Sequence, residues 1–292
     1  MSKYLELIKI NISILVSTTC YIGYYLGLQY NGQNMTEYDS WVTFFYLLIG
    51  TIISSSGAAT LNQCFEVEYD SKMERTKSRP LPKNEISLTK AVIIGLLCSL
   101  VGPAIIWLKI NMLCSVISFS TIFIYVFIYT PLKRYSTLNT IIGAIPGALP
   151  PLGGWVAATN KINIEGLMLF GILFTWQIPH FLSLAVIYKD DYLKGGFKML
   201  PSIATNNNVV SFQILFFTMA LIYTSVGIFI LKLTSFVYVF GAVLLGLIFL
   251  FYSSYILFDY SSKNIKRIFI FSIIYLPVLL ILIIIDSFFN KL

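Results

Sequence analysis

The chain has little charge. Only 11% of its 292 residues are Asp, Glu, Lys or Arg, whereas a typical soluble domain has about 25%. Hydrophobic residues make up 57% of the chain. A soluble core cannot hide that much apolar surface, so the composition excludes a soluble globular protein and makes the lipid bilayer the solvent for most of the chain.

Cysteine and histidine are also scarce. The four cysteines form no C-x-x-C pair, so neither a disulfide framework nor a cysteine metal cluster is expected. The single histidine, His180, cannot supply a bis-histidine haem site. Any metal chemistry is therefore expected to depend on oxygen ligands.

Long apolar runs fill nearly the whole sequence. Each reaches about 20 residues, the length at which a helix crosses the hydrocarbon core. The runs are continuous rather than alternating, which excludes a membrane barrel. We predict one polytopic domain over residues 1–292, all-α, with nine transmembrane helices near 8–28, 41–64, 88–108, 110–131, 138–158, 163–187, 207–231, 234–258 and 266–289.

The basic residues are distributed unevenly between the two sides of this topology. With nine spans, the N-terminus and the loops near 65–87, 132–137, 188–206 and 259–267 share one side, which carries sixteen of the 20 Lys and Arg residues. The positive-inside rule predicts that this side is cytoplasmic. The net charge of +7 thus reflects membrane topology, and no nucleic-acid partner is expected. The lack of an Arg-rich presequence favours a prokaryotic cell membrane.

An acidic motif follows the second apolar run. Asn62, Glu66 and Asp70 are spaced i, i+4, i+8, which places all three on one face of a helix. Their hard oxygen atoms suit Mg²⁺, which usually takes one or two carboxylates together with waters and substrate phosphates. An ordinary solvated helix end would show the same spacing, so the spacing alone leaves both interpretations open.

Basic residues directly after the motif favour a ligand that carries phosphate. Arg75, Lys77 and Arg79 lie within nine residues of Asp70. Acidic metal ligands followed by cations can hold a metal ion and a diphosphate together, because guanidinium groups bind phosphate oxygens bidentately. Two prolines, at 80 and 82, then end regular helix before the third span.

A second acidic cluster follows the sixth run. Asp190 and Asp191 precede Lys194 and Lys198, in the same order of acids and then bases. The two clusters are four spans apart and therefore on the same side of the membrane. We expect them to face each other across one cavity, which would accommodate more than one Mg²⁺ on a diphosphate.

The fifth apolar run contains three prolines and four glycines between residues 143 and 154. Such a segment should break most helices. Broken backbone is tolerated in a membrane only inside the protein, so the segment is expected to line a pocket. A kinked helix packed closely against its neighbours is the alternative. Lys133 and Arg134 precede this run and should face the same cytoplasmic mouth.

His180 lies inside the sixth span, next to Trp176 and Gln177. A polar side chain at this depth should face a cavity rather than lipid. A single histidine in such a position is either a satisfied packing residue or a contact to a bound ligand, and the sequence leaves both open.

Several long motifs resemble the UbiA superfamily of membrane prenyltransferases and, within it, the haem O synthases (protohaem IX farnesyltransferases). The similarity covers essentially the whole chain. The stretches that carry it are Asn62 to Pro82, Tyr129 to Arg134, Gly147 to Trp155 and Trp176 to Pro201. The chain departs from the family at the start of the first span, where Lys9-Ile10-Asn11 replaces the frequent K-P-R, and this weakens any role assigned to that segment.

The resemblance implies a bundle around a central cavity open to the cytoplasmic side, and an Mg²⁺-dependent reaction. Farnesyl diphosphate would alkylate the 2-vinyl group of haem B, with water adding, to give haem O and diphosphate. A haem A synthase or a terminal oxidase is the kind of protein partner that it implies. The implied Mg²⁺ ligands are Asn62, Glu66, Asp70, Asp190 and Asp191. The implied diphosphate contacts are Arg75, Lys77, Arg79, Lys133, Arg134 and Lys194, and the implied haem contacts are Trp176, Gln177 and His180.

Two other functions compete with this one. A prenyltransferase with another acceptor, such as an aromatic acid, a different tetrapyrrole or a lipid, would carry similar acidic motifs. A transporter would also have intramembrane acids and broken helices. The charged clusters of this chain lie on one side only, which argues against access from both sides.

Overall fold

The computed structural model describes residues 3–289, and every regular element within that range is helical. In chain order the helices are α1 (Lys3–Leu7), α2 (Ile10–Tyr30), α3 (Tyr38–Asp70), α4 (Leu88–Lys109), α5 (Met112–Phe123), α6 (Thr130–Leu132), α7 (Asn139–Thr159), α8 (Ile164–Ile187), α9 (Lys189–Lys194), α10 (Leu200–Ile203), α11 (Asn207–Ile230), α12 (Phe236–Tyr255) and α13 (Ser262–Phe289).

Each of the nine apolar runs corresponds to helix, which confirms the all-α prediction. Within the described residues, eight helical segments are long and apolar enough to cross a membrane. The first run forms the 21-residue α2, which is not among the eight. Its hydroxyl side chains, which include Ser13, Ser17 and Thr19, lower its apolar character. The integral membrane fold is thus confirmed, whereas the count of nine spans is not.

Helices α7 and α8 form the centre of the bundle. In the most apolar stretch of each helix, 61% of the residues of α7 and 56% of those of α8 are buried, compared with 28% in α12. The outer helices expose large apolar side chains such as Leu100, Phe216 and Phe240. Exposed apolar side chains of this kind are stable where lipid is the solvent. The outer helices therefore face lipid, and the more buried helices α7 and α8 form the interior.

The proline-rich helix α7 is continuous, and in this respect the expectation of a broken segment was wrong. Pro146, Pro150 and Pro151 are all buried within one helix. Glycine allows the close packing that supports it: a Cβ atom at Gly154 would overlap the carbonyl oxygen of Cys20 in α2. Small residues that bring helix backbones together are typical of membrane bundles. The segment is therefore an unbroken helix whose backbone packs closely against α2.

Two local irregularities shape one end of the bundle. Residues Ile124–Tyr129, between α5 and α6, form a π-helical stretch. Such stretches are rare and are frequently found at functional sites. Lys9, between α1 and α2, has a left-handed backbone conformation with φ of 50°. Both irregularities lie at the end where α3 and α8 finish, which we call the motif end.

Loops of the motif end are tied to one another. The Lys198 amide donates a hydrogen bond to the Lys133 carbonyl oxygen at 2.7 Å. The Asn139 side chain donates to the Lys198 carbonyl oxygen at 2.9 Å. Met73 and Phe197 are buried together in a small apolar cluster between the two acidic loops. The loop after α3 and the loop after α8 thus form one packed unit.

Candidate active site

A cavity of about 700 Å³ extends from the motif end into the bundle. Its walls come mainly from α2, α3, α5, α7 and α8. Its lining includes Asp70 at one end of α3 and Leu47 toward the other, which corresponds to about 35 Å along that helix. The lining is charged near Asp70 and apolar near Leu47. Gly143, Pro146, Gly147, Leu149, Pro150 and Gly153 also line it, which confirms that the proline-rich segment lines a pocket.

The three residues of the first acidic motif lie on one face of α3 and are buried. Asn62, Glu66 and Asp70 are 1%, 3% and 1% exposed and all line the cavity. The helix continues through Asp70, six residues beyond the predicted apolar run, and this extension keeps the three side chains aligned. The structure therefore brings the motif together as its spacing predicts.

Each motif residue contacts a basic side chain that also lines the cavity. The Glu66 carboxylate accepts from Lys133 Nζ at 2.8 Å, and the Asp70 carboxylate accepts from Arg79 Nη1 at 2.6 Å. Asn62 Oδ1 accepts from Lys9 Nζ at 3.2 Å, while its amide nitrogen donates to Thr130. The acids and bases thus neutralise each other in the low-dielectric interior, where an unpaired charge would be costly.

The ionisation of two of these lysines reflects their surroundings. Burial, together with the nearby Arg79 guanidinium, lowers the pKa of Lys9 to about 7. Burial also acts to lower the pKa of Lys133, but the facing Glu66 carboxylate outweighs it, so that this pKa lies above its ordinary value. The Glu66 carboxylate thus favours the charged form of Lys133, whereas burial and Arg79 disfavour the charged form of Lys9.

The oxygen atoms of the motif suit a magnesium ion that is completed by its substrate. Asp70 Oδ1 is buried and has no hydrogen-bond partner within residues 3–289. The same residues contain no group of three or more His, Cys, Asp or Glu side chains that could enclose a metal. Mg²⁺ rarely uses a cage made only of protein and usually keeps sites for phosphate and water. The set of Asn62, Glu66 and Asp70 fits that mode of binding.

The second acidic cluster lies outside the cavity. Asp190 is exposed. Asp191 is partly buried, and its carboxylate accepts hydrogen bonds from the backbone amides of Glu74 and Arg75 at 2.7 and 3.2 Å. The expected arrangement of two acidic sites facing across one cavity is not what the structure shows, because Asp191 instead contacts the loop after the first motif. A metal-binding role for these two residues stays a prediction.

The predicted diphosphate contacts divide into two groups. Arg75, Arg79 and Lys133 line the cavity. The other three point elsewhere: Lys77 pairs with Glu74 at the surface, Lys194 is exposed, and Arg134 donates to the Phe65 carbonyl oxygen and covers the Tyr69 ring at 4.0 Å.

Sequence reasoning missed two features of the charged end. Lys9 was discounted because its segment departs from the family motif, although a lysine at the head of an apolar run was itself a signal. Tyr125 and Tyr129 line the cavity from the π-helical stretch, and the sequence assigned neither a role, although Tyr129 opens one of the motifs that carry the family resemblance. The Tyr129 ring lies 4.5 Å from Lys133 Nζ, a cation–π contact that helps to hold the lysine in place.

The histidine lines the same cavity from helix α8. The His180 ring stacks between Trp176 and Phe269, with centroid distances of 5.0 and 5.1 Å. His180 Nδ1 is 2.8 Å from Ser272 Oγ, and no hydrogen bond to Nε2 is found among the described residues. Trp176, Gln177 and His180 all line the cavity, as their position in the sequence predicts. Gln177 donates to the carbonyl oxygens of Ala144 and Leu173, which leaves little freedom in this wall.

Known proteins resemble this chain in sequence. The profile of the UbiA prenyltransferase family matches residues 19–275. A protein named protoheme IX farnesyltransferase from Solibacter usitatus is 37% identical over 295 residues, which is 98% of this chain and 99% of that protein. The human protein named protoheme IX farnesyltransferase, mitochondrial, is 35% identical over 95% of this chain and 60% of its own length.

Solved structures agree on the fold at lower sequence identity. A digeranylgeranylglyceryl phosphate synthase superposes with a TM-score of 0.82 at 18% identity, covering 98% of this chain and 97% of that one. A UbiA homologue from Archaeoglobus fulgidus bound to DMAPP and Mg²⁺ superposes with a TM-score of 0.61 at 16% identity, covering 97% and 99%. The chain therefore belongs to the UbiA prenyltransferase family, within which it groups with the protoheme IX farnesyltransferases.

Proposed function

We propose that this chain transfers the farnesyl group of farnesyl diphosphate to the 2-vinyl group of haem B, with addition of water, and releases diphosphate. The observation that carries the proposal is the cavity itself. One end combines the buried oxygen atoms of the first motif with the partly buried cations Arg79 and Lys133, and most of the remaining lining is apolar. A diphosphate ester of an isoprenoid has the same division of charge along its length. The relatives named protoheme IX farnesyltransferase support haem B as the acceptor.

The cations of the charged end would bind the diphosphate. Arg79 and Lys133 are held at 2.6 and 2.8 Å from their carboxylates, so both groups are already ordered before the substrate enters. The departing diphosphate gains negative charge as its ester bond to carbon breaks. Preorganised cations that are closer to this charge in the transition state than in the ground state lower the barrier.

Asn62, Glu66 and Asp70 are proposed to hold Mg²⁺ together with the diphosphate oxygens. The bound ion would act as a Lewis acid toward the leaving group. The unpartnered Asp70 Oδ1 supports this assignment from the chain itself. The fold neighbour that is bound to DMAPP and Mg²⁺ supports it by analogy.

The apolar walls protect the reactive intermediate. When the bond from C1 to oxygen breaks, diphosphate keeps the electron pair and an allylic cation remains. The π electrons of the vinyl group then form the new carbon–carbon bond, and the resulting cation on the vinyl group takes up water and loses a proton. Water must be kept from the first cation and admitted to the second. Lining residues such as Val16, Ile117 and Ile122 provide this exclusion near the farnesyl chain.

The acceptor is proposed to lie against the wall of α8. His180 presents a ring nitrogen that has no partner among the described residues, and Ser272 fixes the plane of the ring. Trp176 donates its indole N–H to the Ser272 carbonyl oxygen at 2.8 Å, which fixes the indole ring against the His180 ring on which it stacks. An aromatic platform with one orienting nitrogen fits a porphyrin better than a small aromatic acid.

The orientation of the enzyme in the membrane is inferred from the distribution of its basic residues. We propose that the motif end faces the cytoplasm of a prokaryotic cell, because it carries most of the basic residues. We further propose one catalytic domain over residues 1–292, with a haem A synthase or a terminal oxidase as the consumer of the product.

Replacement of Asp70 tests the proposal. Asp70→Asn keeps the side-chain volume but removes the charge, and we expect haem O formation to fall about a hundredfold or more because a metal ligand is weakened. Asp39→Asn, at the exposed opposite end of the same helix, is the matched control and should leave the rate unchanged. An Asp70→Asn protein that folds and works at the wild-type rate would exclude the ligand assignment.

A further inference from the structure

Asp191 joins the two loops of the motif end. Its two carboxylate oxygens accept one hydrogen bond each, Oδ1 from the Glu74 amide at 2.7 Å and Oδ2 from the Arg75 amide at 3.2 Å. These contacts bridge more than a hundred residues of sequence. They connect the start of the α8–α11 loop to the turn that follows Asp70. We call this contact the loop clamp.

We propose that Asp191 is a positioning residue that fixes the turn at residues 73–76, and thereby Arg75, over the mouth of the cavity, instead of binding a metal ion. The proposal rests on the function proposed above, because the role of Arg75 in it is to bind the diphosphate. It assigns to the second acidic cluster a role different from the one that its sequence suggests.

The geometry of Asp191 supports a clamp rather than a ligand. Backbone amides already occupy both of its oxygens, and a charged acceptor makes such bonds strong. Neither Asp190 nor Asp191 lines the cavity, whereas all three residues of the first motif do. Asp191 therefore contacts the turn after Asp70 and not the cavity that holds the first motif.

The clamp acts on a residue that does reach the cavity. The Arg75 guanidinium lies between two aromatic rings, 5.5 Å from the Tyr188 centroid and 5.6 Å from the Tyr192 centroid. It also donates to the Tyr192 hydroxyl at 3.4 Å. Both tyrosines flank the acidic cluster on the same loop, and Arg75 lines the cavity. The backbone of Arg75 is thus held by Asp191 and its guanidinium by the neighbours of Asp191.

Packing beneath the clamp makes the turn a rigid support. Met73 is 2% exposed and lies against Gly195, where an added Cβ atom would approach its sulfur to 2.9 Å. Phe197 is 3% exposed and belongs to the same apolar cluster. Because this packing does not involve Asp191, the loss of the clamp should loosen the backbone at Arg75 while the turn stays anchored at Met73 and the bundle stays folded.

The test compares Asp191→Asn with Glu85→Gln in the purified full-length protein. With haem B, farnesyl diphosphate and Mg²⁺, the clamp predicts that Asp191→Asn raises KM for farnesyl diphosphate about tenfold, the effect of weakening a hydrogen bond to a charged group. The Mg²⁺ concentration at half-maximal rate should stay at the wild-type value. Glu85→Gln, which changes an exposed acid in the loop after α3, should leave both quantities unchanged.

Two further measurements separate positioning from loss of structure. Without substrate and with a chelator present, trypsin should cut the Asp191→Asn protein faster after Lys72, Arg75 or Lys77 than it cuts the wild type. In the double variant with Arg75→Ala, the Asp191→Asn change should raise KM by less than about twofold, because the residue that it positions is absent.

The outcomes are distinct. If the wild type makes no haem O, the proposed function fails and the clamp is judged by proteolysis alone. If the wild type is active and Asp191→Asn raises the Mg²⁺ requirement tenfold, Asp191 is a metal ligand and the inference is overturned. Equal KM, Mg²⁺ requirement and cleavage in Asp191→Asn and wild type would also overturn it.

Discussion

Two glutamates of α3, two residues apart, offer a matched comparison. Glu66 and Lys133 lie 2.8 Å apart with side chains 4% and 13% exposed, whereas Glu68 and Lys72 lie 2.9 Å apart with side chains 73% and 50% exposed. The two ion pairs have nearly the same N···O distance and differ strongly in burial. At an effective dielectric constant of about 20, the buried pair attracts by about 6 kcal/mol. Desolvation offsets much of this attraction.

Glu66→Gln removes the charge and leaves Lys133 buried without its counter-ion. Since glutamine can still accept a hydrogen bond, we expect the free energy of unfolding to fall by about 3 kcal/mol, at the lower end of the cost of breaking a buried pair. This corresponds to a melting temperature about 6 °C lower. Glu68→Gln should change the free energy of unfolding by less than about 0.5 kcal/mol.

The two variants should differ even more clearly in activity than in stability. Glu66→Gln also loses a proposed metal ligand, so haem O formation should fall about a hundredfold. Thermal unfolding in detergent and the rate of haem O formation measure the two effects. Glu66→Gln and Glu68→Gln proteins with equal melting temperatures and equal rates would refute the assignment of Glu66 to a buried, functional site.

The remaining predictions concern packing, the acceptor and the first helix. Gly154→Ala should lower the melting temperature by several degrees, because its methyl group meets the Cys20 carbonyl oxygen, whereas Gly153→Ala finds its nearest neighbour at 3.6 Å and should be tolerated; equal stability would contradict the close approach of α2 and α7. His180→Ala should abolish the Soret shift on titration with haem B, and an unchanged shift would remove His180 from the acceptor site. Lys9→Met should raise KM for farnesyl diphosphate about tenfold in steady-state kinetics, and an unchanged KM would show that this lysine does not contact the donor.

The sequence was sufficient for the features that depend on local pattern. The apolar runs predicted the helices to within a few residues, since a membrane leaves helix as the way for such runs to satisfy their backbone groups. The spacing of Asn62, Glu66 and Asp70 predicted their common face because helix geometry fixes it. The composition of α7 predicted a buried wall but not its continuity, because its neighbours compensate for the prolines.

Features that depend on distant contacts could not be predicted in this way. Lys9 and Lys133 reach the motif residues across 53 and 67 positions of sequence. Nothing near Asp191 indicates that its partners are backbone amides on another loop. The similar order of acids and bases in the two clusters suggested equal roles, but the packing of the loops gives the clusters different surroundings.

The most direct test of the proposed function is mass spectrometry of the haems after the purified wild-type protein has been incubated with haem B, farnesyl diphosphate and Mg²⁺ in isotopically labelled water. The account predicts a product that has the mass of haem B plus one farnesyl group and one hydroxyl group, with the label in the hydroxyl oxygen and diphosphate released in equal amount. Unchanged haem B, recovered from a folded protein that hydrolyses or binds farnesyl diphosphate, would contradict it.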